Sequence, residues 1–190
     1  MENHLGGCYI EGDIGTFAPQ VWDKLIEIYK PKTFLDIGCG AGHSLKYFLD
    51  RDIYGIGIEG WDEAIRLSNV STSIILHDYT LKEYEPKLIF DLSWCCEFVE
   101  HVEEKYIDNF MKTFSKCKVA AITHGVPGQP GHHHVNCQIS QYWIDIFKQY
   151  NFSYKEEVSL SLRGLLSDEN GNALPNGCHV RNTLMVFEKE

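Results

Sequence analysis

Three ionisable residues fall close together in Glu97-Phe98-Val99-Glu100-His101. If this segment is helical, Glu100 and His101 stand three and four positions beyond Glu97, and all three share one face. Two carboxylates and an imidazole on one face form part of an octahedral site for a hard or borderline divalent ion. Further along, His132-His133-His134 follow an irregular stretch containing Pro127 and Pro130, and His124 follows an apolar run. A bound cation lowers the pKa of a hydroxyl, and a histidine near neutrality can take the proton. The same residues also fit an acidic helix start, where negative charge is favoured, and an exposed histidine loop.

A second constellation precedes this one. Phe34-Leu35-Asp36-Ile37-Gly38-Cys39-Gly40-Ala41-Gly42-His43-Ser44 reads as a short apolar strand, a glycine-rich turn and the start of a helix. Such a turn is expected to bring bare backbone N–H groups up to a ligand at a helix N-terminus. No Lys-Ser/Thr follows the last glycine, so this is not a phosphate-cradling P-loop. The spacing also misses the dinucleotide fingerprint, whose third glycine comes later.

These residues need a scaffold, and the apolar periodicity supplies one. Strands are expected over 33–37, 52–58, 73–76, 88–93, 119–123, 152–160 and 183–187. Helices are expected from Pro19 to before Pro31, then over 43–49, 61–68, 102–114 and 138–150. The stretch 167–177 reads as a loop. Strands alternating with helices argue a single α/β domain, doubly wound about a mostly parallel, seven-stranded, Rossmann-like sheet. Ligands of such sheets bind at the carboxyl ends of the strands. Asp36, Glu59, His77, Asp78, Trp94 and His124 all fall at or just after those ends. Residues 1–18 are glycine-rich and read as an N-terminal arm, with a lid as one use for it and a frayed terminus as the other.

Asp36-x-Gly38-x-Gly40-x-Gly42 resembles motif I of the class I S-adenosylmethionine (SAM)-dependent methyltransferases. The resemblance implies that Glu59 accepts the ribose hydroxyls of SAM. It further implies that Asp78 accepts from the adenine amino group and that Asp36 orients the glycine turn and the methionyl amine. Gly38, Cys39, Gly40, Gly42 and Trp94 complete the expected cofactor site.

Glu97-x-x-Glu100-His101 resembles the metal-binding motif of two methyltransferase families. These are the ubiquinone-biosynthesis O-methyltransferases and the small-RNA 3′-terminal 2′-O-methyltransferases, which add a later histidine before an aromatic-bearing helix. Here that implies His134, with His133 next, ahead of the helix carrying Trp143. The implied metal set is Glu97, Glu100, His101 and His134, for Mg²⁺ or Mn²⁺. The expected catalytic set is Glu100, His101, His124 and His134.

The wider block from Trp94 through His132-His133-His134 to Tyr142-Trp143-Ile144 is similar to small stand-alone methyltransferases found near glycan-assembly genes, including in phages and large viruses. This points to a sugar hydroxyl as acceptor, with Tyr79, Trp94, Tyr142 and Trp143 as a stacking wall. A terminal RNA ribose and a small phenol are alternatives, and a non-catalytic SAM-binding partner or sensor is one of a different class.

The bulk properties bound these readings. The chain has 190 residues, 44% hydrophobic and 23% charged, which suits one globular domain. A net charge of −10 disfavours nucleic acid as a partner. The first residues lack the charged and apolar regions of a signal peptide, and no apolar run approaches a membrane span. Seven cysteines with no Cys-x-x-Cys spacing suggest reduced thiols and a cytoplasmic protein.

Overall fold

The computed structural model describes residues 4–190, so the first three positions of the expected arm lie outside the described residues. Residues 4–18 run without regular structure to α1 (Pro19–Tyr29), which Pro19 opens and which buries Val21, Trp22 and Leu25. Then follow β1 (Thr33–Ile37), α2 (His43–Leu49), β2 (Tyr54–Glu59), α3 (Asp62–Leu67), β3 (Ile74–Leu76) and β4 (Phe90–Cys95). The second half holds α4 (Ile107–Phe114), β5 (Cys117–Ile122), α5 (Ser140–Gln149), β6 (Phe152–Tyr154), α6 (Glu156–Gly164), α7 (Cys178–Thr183) and β7 (Met185–Lys189).

The seven strands form one sheet in the order β3-β2-β1-β4-β5-β7-β6. β7 alone runs opposite to the other six strands. The chain steps outward from β1 to β3, then returns to β4 on the other side, so the strand order reverses between β1 and β4. Loops leaving those two strands diverge and open a crevice. The register brings the strand ends level. Asp36 pairs with Gly57 on one side and Trp94 on the other, while Glu59 pairs with Leu76.

Alternation along each strand divides the core. Leu35 and Ile37 face the layer containing Phe110, Phe114, Trp143 and Phe147. Phe34, Leu92 and Trp94 face Trp22, Leu25, Phe48, Leu162 and Val180. Burying Ile107, Phe110, Met111 and Phe114 at helical spacing fixes α4 against the first face.

Several expected elements change. The strand expected over 152–160 ends at Tyr154, and the chain turns into α6. Val158, Leu160 and Leu162 alternate like a strand, but Leu162 is buried while Leu160 is 55% exposed, as opposite faces of a helix require. The helix expected from Val102 begins at Ile107, because 3₁₀ turns at 99–101 and 104–106 carry the chain there first. A helix, α7, intervenes between the 167–177 loop and the last strand, which starts at Met185. Among the described residues, no helix is long and apolar enough to cross a membrane.

Candidate active site

The glycine turn sits at the reversal point. Gly38, Gly40 and Gly42 have φ of 68°, 53° and 76°. A Cβ on Gly38 would stand 2.4 Å from the Phe98 ring, so both backbone hand and space demand glycine there. The expected bare N–H groups are mostly occupied. Gly38 and Cys39 donate to Ile58 O (2.9 and 3.1 Å), Gly42 donates to Cys39 O (2.8 Å), and Gly40 donates to Glu59 Oε2 (2.8 Å). The turn is thus tied to β2, and it offers a ligand close approach rather than a nest of donors for phosphate.

Asp36 is 1% exposed, and Ser44 Oγ donates to its Oδ2 at 2.6 Å. Burial outweighs that bond and pushes the carboxyl up to about 7. Glu59 also accepts from Trp61 N at 2.8 Å, yet desolvation still raises its carboxyl. Asp78 accepts from the Thr80 hydroxyl and N–H (2.7 and 2.8 Å) and from His4 Nε2 (2.8 Å). Partial burial would raise Asp78, but Thr80 and His4 hold it below the usual carboxylate range.

These residues wall a cavity of about 570 Å³, a fitting size for a cofactor and a small acceptor. Residues of the 4–18 arm form its outer side. Glu11, Asp13, Asp36, Glu59, Asp78 and Glu97 line it, and no lysine or arginine does among the described residues. Cys39, Trp94 and Tyr79 lie on its wall. Trp94 is 2% exposed and packs edge-on against Trp22, so it contributes a floor rather than a free ring.

The cation candidates divide in two. One ligand atom each from Glu100, His101 and His134 lies within 4.8 Å of the others. Glu100 is fully buried, and neither carboxyl oxygen makes a hydrogen bond of good geometry among the described residues, with the Glu97 carboxyl and the N–H groups of Glu100 and Gly125 nearby. Burial first, then the charge of Glu97, pushes this carboxyl well above its usual range. His101 Nδ1 lies 2.7 Å from His132 O, and His134 Nδ1 lies 3.0 Å from Gln129 O. A carbonyl only accepts, so both Nδ1 atoms carry the proton and both Nε2 lone pairs stay free. Oriented imidazoles backed by carbonyls, beside a buried carboxylate lacking a hydrogen bond of good geometry, fit a divalent cation. Two imidazoles and one carboxylate suit a borderline ion such as Mn²⁺ better than Mg²⁺. Close approach fixes one more residue, because a Cβ on Gly131 would stand 2.2 Å from His134 Nε2.

Glu97 does not join that group. Its backbone is left-handed (φ 50°), which breaks the helical face expected over 97–101. Its carboxylate turns instead to Thr123 Oγ1 (2.7 Å), His179 Nδ1 (3.1 Å) and Gln129 Nε2 (3.3 Å). His124, an expected catalytic residue, is 1% exposed and off the cavity wall, with Nδ1 3.1 Å from Gly125 O and Nε2 3.0 Å from Ser140 Oγ. It secures the start of α5. Trp143 is fully buried in the core, and Tyr142 donates to Glu104 away from the cavity. Neither belongs to a stacking wall. His133 sits apart, with its ring 6.0 Å from that of His4.

No family model and no curated protein matches this sequence. Solved structures do match in shape. A SAM-dependent methyltransferase from Archaeoglobus fulgidus superposes with a TM-score of 0.65 at 15% identity, covering 95% of this chain and 96% of that one. The methyltransferase domain of bacterial CtHen1 gives 0.62 at 17% identity, covering 93% and 99%. The plantazolicin methyltransferase BpumL, solved in complex with SAH, gives 0.60 at 16% identity, covering 91% and 83%. The chain has the class I methyltransferase fold. In this fold, the acids at the ends of β1 and β2 and after β3 converge on one cavity, as described above.

Some residues of the site carried no sequence signal. His179 is a lone histidine between Cys178 and Val180, and only the packing of α7 brings it to Glu97. Gln129 orients His134 and His132 orients His101 through their backbone carbonyls, which residue type does not announce. Thr123, directly after β5, was open to the same strand-end argument that singled out its neighbour His124.

Proposed function

We propose that this chain is a SAM-dependent O-methyltransferase whose acceptor is a sugar hydroxyl and whose reaction uses a divalent cation. The observation that carries it is the cavity's charge. Six carboxyl side chains and, among the described residues, no lysine or arginine line a site at the strand-order reversal. Such a lining repels phosphates and suits a ligand bearing a sulfonium and an ammonium. The glycine turn, with its donors already used, agrees with a ligand that has no phosphate to hold.

SAM would supply an electrophilic methyl group here. Glu59, at the end of β2, has lone pairs left for ribose hydroxyls, and Asp78 for an adenine amine. Asp36 fixes the turn through Ser44. A divalent cation held by Glu100, His101 and His134 would lower the pKa of the acceptor hydroxyl. His101 belongs both to that group and to the cavity wall, so it marks where acceptor and cofactor meet. Tyr9, Ile14 and Phe17 line the cavity from the arm and are 70%, 64% and 44% exposed. They suit the apolar face of a ring, and the acidic lining argues against an RNA acceptor.

Calorimetry with SAM, then methyl transfer to sugar acceptors with and without EDTA, tests this. Binding of SAM is expected, with transfer that EDTA removes and Mn²⁺ restores. No SAM binding defeats the reading outright. EDTA-resistant transfer removes the cation, and transfer only to phenols or RNA replaces the acceptor.

A further inference from the structure

His132 stands apart from the groups already assigned. It is exposed, it is not a member of the Glu100–His101–His134 group, and it does not line the cavity. Yet it touches both sides of the site. Its carbonyl accepts a hydrogen bond from His101 Nδ1 at 2.7 Å, and its own Nε2 lies 2.9 Å from Leu5 O in the arm. Leu5 and Gly7 line the cofactor cavity, and the next arm residue back, His4, pairs with Asp78 at 2.8 Å. A Cβ on Gly7 would meet both the His132 and His101 rings, at 3.4 and 3.5 Å.

The arm is therefore a wall shared by two sites. It covers the cavity with residues 4–17, and it is tied through one side chain to the residue that orients His101. A second route runs the same way. His179 N donates to Gly15 O at 3.0 Å, His179 bonds Glu97, Gln129 bonds Glu97, and the carbonyl of Gln129 orients His134.

We propose that His132 is a positioning residue that couples the arm to the cation ligands, so that the cofactor and the cation each tighten the other's binding. This rests on the cation reading given above. Ordering the arm over a bound cofactor holds Leu5 O in place, which holds the His132 backbone and with it the His101 ring. By linkage the effect is reciprocal and equal in both directions. Water competes for the exposed His132–Leu5 bond, so the coupling belongs at the low end of the usual range, about fivefold.

The test measures Mn²⁺ affinity by calorimetry with and without saturating S-adenosylhomocysteine, and S-adenosylhomocysteine affinity with and without Mn²⁺. The wild type is expected to show about a fivefold mutual tightening. In His132→Ala the backbone carbonyl that holds His101 remains. Mn²⁺ binding alone should stay within a fewfold of wild type, while the mutual tightening falls below about twofold. In His132→Gln, an amide N–H can again reach Leu5 O, and part of the coupling should return. Unchanged coupling in His132→Ala, or none in the wild type while both ligands bind, overturns the proposal. Wild-type protein that binds S-adenosylhomocysteine but no Mn²⁺ in either state overturns the cation reading itself. Thermal unfolding of both variants checks that the fold is intact.

Discussion

His179 Nδ1 lies 3.1 Å from Glu97 Oε2, which joins α7, near the end of the chain, to the loop after β4. Burial alone would raise the Glu97 carboxyl, but the His179 pair and the Thr123 hydroxyl reverse this and hold it at about 2. The same bond raises His179. The Glu97 contribution to stability is present above its ordinary 4.5 and is lost as pH falls toward 2. The His179 contribution is full below its ordinary 6.5 and is lost as pH rises through its raised value. The pair therefore stabilises most between those two ordinary values. A Glu97→Gln, His179→Ala double-mutant cycle by urea unfolding should give about 1 kcal/mol of coupling near pH 5.5, since His179 is partly solvated. The coupling should shrink at pH 3 and at pH 9. A flat profile would mean that the pair is not charged in the folded protein.

Burial of the Asp36 carboxyl carries a stability cost. Its raised carboxyl favours the protonated form in the folded state, so stability falls as pH climbs from about 4 through about 7. Asp36→Asn removes that dependence and keeps an acceptor for Ser44. The variant should be more stable than wild type at pH 8, by roughly 2 kcal/mol, and equal to it at pH 4. It should also bind SAM at least tenfold more weakly, about 1.4 kcal/mol. Urea titrations at the two pH values and calorimetry with SAM check both halves. Lower stability at pH 8 would contradict the buried-charge account.

Gly131 offers a way to perturb His134 without altering the cavity wall. An alanine there would place Cβ 2.2 Å from His134 Nε2 and displace the ring. Gly131 is exposed and is not on the cavity wall. Gly131→Ala should weaken Mn²⁺ binding at least tenfold, about 1.4 kcal/mol. Affinity for S-adenosylhomocysteine, measured without cation, should be unchanged. Equal loss of both ligands would show general damage to the fold instead.

The sheet was legible because its inner strands are short apolar runs closed by glycines or acids, such as 33–37 ahead of Gly38 and 54–59 ending at Glu59. Element type failed where one pattern served two periods. Val158, Leu160 and Leu162 match a strand by alternation and a helix by the Val158–Leu162 spacing, and only burial decides. In the site, residue type and spacing single out Glu100 and His101, the family resemblance singles out His134, and the fold brings the three within 4.8 Å. Glu97 was grouped with them on a helical face that does not form. Its left-handed backbone depends on Thr123, whose hydroxyl bonds both the N–H and the carboxylate of Glu97 (2.8 and 2.7 Å). Such tertiary override leaves no trace in local sequence.

Glu100 permits the most direct test of the cation reading. A fully buried carboxylate without a hydrogen bond of good geometry among the described residues destabilises the metal-free fold once it is charged. Its raised pKa means that this cost appears as pH rises above the ordinary 4.5. Glu100→Gln removes the charge and keeps the shape. In EDTA at pH 7.5 the variant should be more stable than wild type by about 1 kcal/mol, and the gain should vanish near pH 4. Mn²⁺ should reverse the order. At a hundred times its Kd it should stabilise the wild type by about 2.7 kcal/mol and leave the variant unmoved. Thermal unfolding in EDTA and in Mn²⁺, at both pH values, gives all four quantities. If Mn²⁺ stabilises both proteins equally, the ion binds somewhere other than Glu100.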